Sequence, residues 1–275
     1  MPSLHKTFPD LANIVGHCST LVASHYHENN SNVQATDVSE GLLSHWTINR
    51  GILFLNNLID HVPTSGIGQL ALFADTLNGE KSFKSHTPTA TVTAVLLRQD
   101  DVLFSPVAAV IQNPVTGEVW SAIKNNFVKY SFKPSYTPRN TRTRLYDDND
   151  PIRVAICQSK APDLAFSRFS SAIAGNSRFE VIHTDSTGHY AGALALGQLD
   201  AVICPKLDAA TLAGALIAYE AGATVGNMWK ALYETGFTLD ELRAEGKNAL
   251  PNGVIMAANL EIASIIQKIF LDHYK

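Results

Sequence analysis

Cysteine is scarce in this chain: Cys18, Cys157 and Cys204 are widely spaced and odd in number. That argues against a disulfide framework and against a cysteine-type zinc site, and it fits a reducing cytoplasm. Long apolar runs are missing too. Residues 1–8 carry one lysine and nothing like the core of a secretory signal, and no later run approaches a membrane span, so neither export nor insertion is expected. There is no basic stripe: 21 Lys and Arg stand against 25 Asp and Glu, a net charge of −4 spread through the chain, which argues against a nucleic-acid partner. No G-x-G-x-x-G or Walker pattern and no G-x-S-x-G elbow occurs, so dinucleotide, nucleoside triphosphate and serine-hydrolase chemistry have no motif to rest on. His25 and His27 fall on different faces of a helix, which disfavours a histidine metal site.

With 45% hydrophobic and 17% charged residues, the 275-residue chain can bury one large core or two closely joined halves. From Phe8, apolar positions Leu11, Ile14, Val15, Cys18, Leu21 and Val22 recur at helical spacing. A second helix is expected from Asp37, with Glu40 completing a capping box and Leu42, Leu43 and Trp46 on its apolar face. Then the grammar changes. "LALFA", "TATVTAVLL", "VLFSPVAAVI" and "EVWSAI", separated by "RQDD" and "NPVTG", read as an antiparallel meander. Residues 133–151 are rich in proline, asparagine and charge and read as a linker between a helix-plus-sheet half (1–145) and an α/β half (151–275). In the second half "IRVAIC", "FEVIH", "DAVI" and "GVIMAA" alternate with helical stretches at Leu164–Ala172 and Leu212–Ala221. Cys157 falls at the end of the first of these strands, where sites often lie, although a buried structural thiol is the plainer reading.

Four segments, in order, resemble the inositol monophosphatase family. "VQATDVSE" (Val33–Glu40) is similar to the family's threonine-aspartate helix start. "ADTLNGEKSF" (Ala74–Phe83) resembles its D-P-[IL]-D-G-T-x-x-F motif, matching at Asp75, Leu77, Gly79 and Phe83. "STGHYAGALALGQLDAVICP" with "AATLAGALIAYEAGATV" resembles its W-D-x-A-[AG]-G…EAGG segment, and "NGVIMAANLEIASIIQKIF" its closing strand and helix. The resemblance implies an alternating αβαβα layered sandwich, a homodimer, Mg²⁺ as cofactor and a small phosphorylated polyol or phosphate as ligand.

The resemblance also locates where metal ligands belong, and there this sequence is poor. The family's glutamate pair has no counterpart, since Asp60 is the sole acid between Glu40 and Asp75. Asp75 keeps the leading aspartate and Leu77 would offer its carbonyl, but the motif's second aspartate is Asn78, which brings oxygen without charge. Ala210 stands where the aspartate after tryptophan belongs, and Ala209 replaces the tryptophan. Asp208 is either a displaced ligand or the N-cap of the following helix; Glu80, in place of the threonine that positions water, is either a relocated ligand or a surface charge. Gly79, Glu80 and Lys81 are the expected phosphate-binding residues, with amides at a helix start and one ammonium, opposed by the Glu80 carboxylate.

Magnesium demands near-octahedral oxygen coordination and sheds its waters reluctantly, so so few carboxylates imply weak binding. The leading expectation is a protein that binds a small phosphorylated polyol or related anion, with Mg²⁺-dependent hydrolysis weak or lost. The alternatives are an active phosphomonoesterase with relocated ligands, of inositol-phosphate or 3′-phosphonucleotide type, and a non-catalytic dimeric interaction subunit.

Overall fold

The structure is a computed structural model that describes residues 4–26, 32–50, 52–55, 68–100, 103–132, 139–140, 150–158, 164–227, 237–238 and 253–273. Two helices lead. Helix α1 (Leu4–Ser24) buries Leu11, Val15, Cys18 and Val22, one stripe at three- and four-residue steps. It begins before the expected Phe8. Helix α2 (Asn32–Ile48) also begins early, so Asp37 lies exposed within it rather than capping it; no glycine or proline between Asn32 and Asp37 stops the helix from reaching back. Leu43 and Trp46 are buried, but Leu42 is 37% exposed and lies off that face.

The strands that follow build an eight-stranded sheet: β1 (Leu53–Phe54), β2 (Leu70–Asn78), β3 (Thr91–Asp100), β4 (Leu103–Gln112), β5 (Glu118–Ile123), β6 (Phe127–Phe132) and β7 (Arg139–Asn140) lie side by side in chain order. All neighbours from β2 to β7 are antiparallel, and only β1 joins in parallel. "NPVTG" is a turn held by Asn113, whose Oδ1 accepts from the amides of Val115 and Thr116. "RQDD" differs from expectation: Arg98, Gln99 and Asp100 continue β3, because the pairing runs on to Asp100 opposite Leu103. Along β3, Val92, Ala94 and Leu96 face one core and Val95 and Leu97 the other. The period of two thus divides an apolar run between two covered faces, which is why these strands read as hydrophobic throughout.

The second sheet holds β8 (Ile152–Cys157), β9 (Phe179–Thr184), β10 (Ala201–Cys204), β11 (Thr224–Asn227) and β13 (Val254–Ala257), ordered β11-β13-β10-β8-β9. Here β10, β8 and β9 run parallel, and β13 is antiparallel to both its neighbours. A short β12 (Phe237–Thr238) returns to pair with the start of β4 in the first sheet. Helices α5 (Thr187–Ala195) and α6 (Ala209–Glu220) fill the space between the sheets. Small residues permit it: Gly192 lies against the Trp120 ring, and Gly214 against Ala191. Helices α4 (Leu164–Ala174) and α7 (Leu260–His273) cover the outer face of the second sheet, where Phe169 and Phe270 meet edge to face at 5.5 Å. With α1 and α2 outside the first sheet, the layers alternate α, β, α, β, α, as expected.

One buried cluster reaches from Leu55 to Phe270 through both sheets and the helices between them. Of the linker, residues 133–138 and 141–149 lie outside the described residues, while Arg139–Asn140 pair with β6 as part of the first sheet. No described helix is long and apolar enough to cross a membrane.

Candidate functional site

β2 runs on past "LALFA" to Asn78, and this extension carries the site. Its pairing with β3 slips by one residue between Asp75 and Asn78, a bulge that re-aims side chains at a strand's end. There the Asp75 carboxylate accepts from the Leu77 amide at 3.0 Å and from Asn78 Nδ2 at 3.1 Å. Asn78 is buried, and its Oδ1 accepts from the Gly188 amide of α5 at 3.0 Å. Both ends of its amide are therefore engaged with protein. Gly79 follows at φ +89°, and an added Cβ would lie 2.8 Å from that of Ser186, so only glycine fits.

Glu80–Lys84 then form α3, a single short turn of helix. The amides at its start do not look out on an empty pocket. Asp185, from the connection between β9 and α5, accepts from the Lys81 amide at 2.7 Å, the Ser82 amide at 3.3 Å and the Ser82 hydroxyl at 2.6 Å. A carboxylate of the chain itself thus holds an anion's place beside two of these amides. Glu80 pairs with Lys84 at 2.6 Å, one turn along.

A cleft of about 450 Å³ opens between these residues and the ends of β8 and β10. Asp208 enters it as the N-cap of α6, its Oδ1 accepting from the Thr211 amide at 2.7 Å. Its other oxygen lies 2.9 Å from the Lys206 ammonium, an ion pair by distance, though without hydrogen-bond geometry. Lys81, Lys84, Lys206, Cys157 and Cys204 also line the cleft. Burial first, and then the nearby Asp208 carboxylate, push Asp75 up to about 6 from an ordinary 3.8.

Sequence reasoning thus named Asp75, Leu77, Asn78, Gly79, Glu80, Lys81 and Asp208, and all seven line this one cleft. Ala210 is fully buried in α6 and offers no ligand. Asp60 and His27 lie outside the described residues. Sequence reasoning missed Asp185, Lys206 and Cys204; the signal for Asp185 was its place at a strand end before "STG", where a chain turns into a helix.

These residues do not fit a magnesium cluster. Among the described residues no three His, Cys, Asp or Glu side chains come together in a way that could hold a metal ion. Asp75 already accepts from the Leu77 amide and Asn78 Nδ2, Asn78 is spent at both ends, and Asp208 caps a helix beside a lysine.

No family profile matches the chain, and no curated protein matches it in sequence. Solved structures do match in shape. SuhB of Mycobacterium tuberculosis is 17% identical over 98% of this chain and 98% of its own, with a TM-score of 0.71. An inositol monophosphatase from Anabaena (Nostoc) is 13% identical over 98% of this chain and 97% of its own, with a TM-score of 0.72. Another from Zymomonas mobilis is 14% identical over 98% of this chain and 100% of its own, also at 0.72. The chain has the fold of the inositol monophosphatases.

Proposed function

We propose that this protein binds a small phosphorylated polyol or related anion in the cleft beside Asp75, and that its Mg²⁺-dependent phosphomonoester hydrolysis is weak or lost. The observation that carries the reading is the engagement of the cleft's acids. Glu80 pairs with Lys84, Asp185 is bonded to α3, Asp208 caps α6 beside Lys206, and Asp75 accepts from the Leu77 amide and Asn78 Nδ2. A divalent cation would have to displace these partners before meeting negative charge, and would lose its hydration for little return. What supports an anion is that the Lys81, Lys84 and Lys206 side chains line the same cleft, Lys84 and Lys206 within their ion pairs to Glu80 and Asp208, and that its volume is within the usual range for small-molecule pockets.

Calorimetry with inorganic phosphate and with an inositol monophosphate, each with and without Mg²⁺, tests this. The reading expects binding that Mg²⁺ leaves within about twofold, a difference of about 0.4 kcal/mol. Binding that requires Mg²⁺ would favour the active phosphomonoesterase, and no binding of either anion would favour the non-catalytic subunit. The homodimer is likewise a proposal, measured on the same preparation by light scattering.

A further inference from the structure

Two of the three thiols meet in the wall of the cleft. β8 and β10 are neighbouring parallel strands, paired Ala155 with Val202 and Ile156 with Ile203. The next residue on each strand is a cysteine, and the Cys204 thiol donates to the Cys157 sulfur at 3.6 Å. Both are free and both line the cleft. Adjacent strands lie about 4.8 Å apart, inside the roughly 4.4–6.8 Å span of Cα separations that a disulfide bridges. Bringing the sulfurs from 3.6 Å to bonding distance therefore asks for side-chain rotation and no parting of strands.

We propose that Cys157 and Cys204 form a reversible disulfide when a small peroxide reaches the cleft. Cys157 is 3% exposed and Cys204 fully buried, so the peroxide meets Cys157 first. Its thiolate attacks one peroxide oxygen, the O–O bond breaks, and a sulfenic acid forms as hydroxide leaves. The Cys204 sulfur then attacks the Cys157 sulfur, the S–O bond breaks, and water leaves with the thiol proton. Two thiols and one hydrogen peroxide give one disulfide and two waters, and a dithiol reductant reverses the change. Burial, with the Cys157 sulfur beside it, holds the Cys204 thiol well above its usual range, so Cys204 is not the thiolate that peroxide meets. Cys18 is the built-in control: it is buried in α1, donates to the Ser39 carbonyl at 3.6 Å, and is pushed up to about 11 by burial.

The test uses the full chain, native and in urea, treated with a few equivalents of hydrogen peroxide, then unfolded, alkylated and digested for mass spectrometry. The native protein is expected to yield a linked pair of peptides containing Cys157 and Cys204, with Cys18 alkylated; dithiothreitol reverses the link, and Cys18→Ser retains it. The link should form at least about tenfold faster in the folded protein than in urea, because folding holds together sulfurs that are 47 residues apart in sequence. Alkylation of all three cysteines after peroxide, a sulfinic acid on Cys157 without a link, or a link formed no faster when folded would each overturn the proposal.

Discussion

Replacing Asp75 by asparagine removes a cleft carboxylate that burial and the nearby Asp208 carboxylate push up. Folded Asp75 titrates at about 6 against 3.8 for the ordinary group. The folded state therefore binds this proton more tightly than the unfolded one, and stability falls as pH rises between those two values. At about 1.4 kcal/mol per pH unit, keeping Asp75 ionised at pH 7.5 costs the fold about 2–3 kcal/mol, a cost absent at pH 3.8 and below. Asparagine escapes that cost but retains one acceptor for the two donors, the Leu77 amide and Asn78 Nδ2, a loss of about 1 kcal/mol at every pH. Asp75→Asn should therefore be more stable than the parent by about 1–2 kcal/mol at pH 7.5 and less stable by about 1 kcal/mol near pH 4. Urea unfolding of both proteins in chelator at the two pH values measures it, and other acid-sensitive groups cancel in the comparison. An Asp75→Asn protein less stable than the parent by the same margin at both pH values would refute the reasoning.

Three further outcomes follow from the same geometry. Asp185→Ala should lower unfolding free energy by about 2 kcal/mol, because two amides and a hydroxyl of α3 lose a charged acceptor; urea denaturation reads it. Gly79→Ala should cost about 2 kcal/mol or more, combining a left-handed backbone with a Cβ forced onto Ser186, seen as a lower thermal midpoint. Asn78→Asp sets a second carboxylate where Nδ2 now donates to Asp75. Together with Ala210→Asp it should make the protein's thermal midpoint rise with added Mg²⁺, an effect the parent lacks.

Separate elements were legible from local pattern, while their αβαβα layering was what the family resemblance implied. A three- and four-residue stripe at Leu11–Val22 marks α1, and β-branched runs mark the meander. The small residues of Ala209–Glu220 allow close packing in many folds, and it is the structure that places this helix between two sheets. Helix starts were less legible: Asp37 has the chemistry of a cap, yet nothing ahead of it breaks the helix, so the local signal lost to continuation. At the site, one contiguous motif named Asp75 to Lys81. The partners that decide its chemistry come from far along the chain, Asp185 and Gly188 being 103 to 110 residues distant. Nothing in "NGEK" reveals that a carboxylate from another layer sits on its amides. Cys204 became meaningful only beside Cys157, a neighbour fixed by the pairing of β8 with β10.

The central claim is that this cleft cannot hold divalent cations against a phosphate group. Its most direct test is the turnover of an inositol monophosphate by the purified protein in millimolar Mg²⁺, followed by phosphate release. The account predicts less than about 0.01 s⁻¹, well under the roughly 1 s⁻¹ at the low end of ordinary enzymes. Sustained release at or above about 1 s⁻¹, abolished by chelator and by Asp75→Asn, would contradict it.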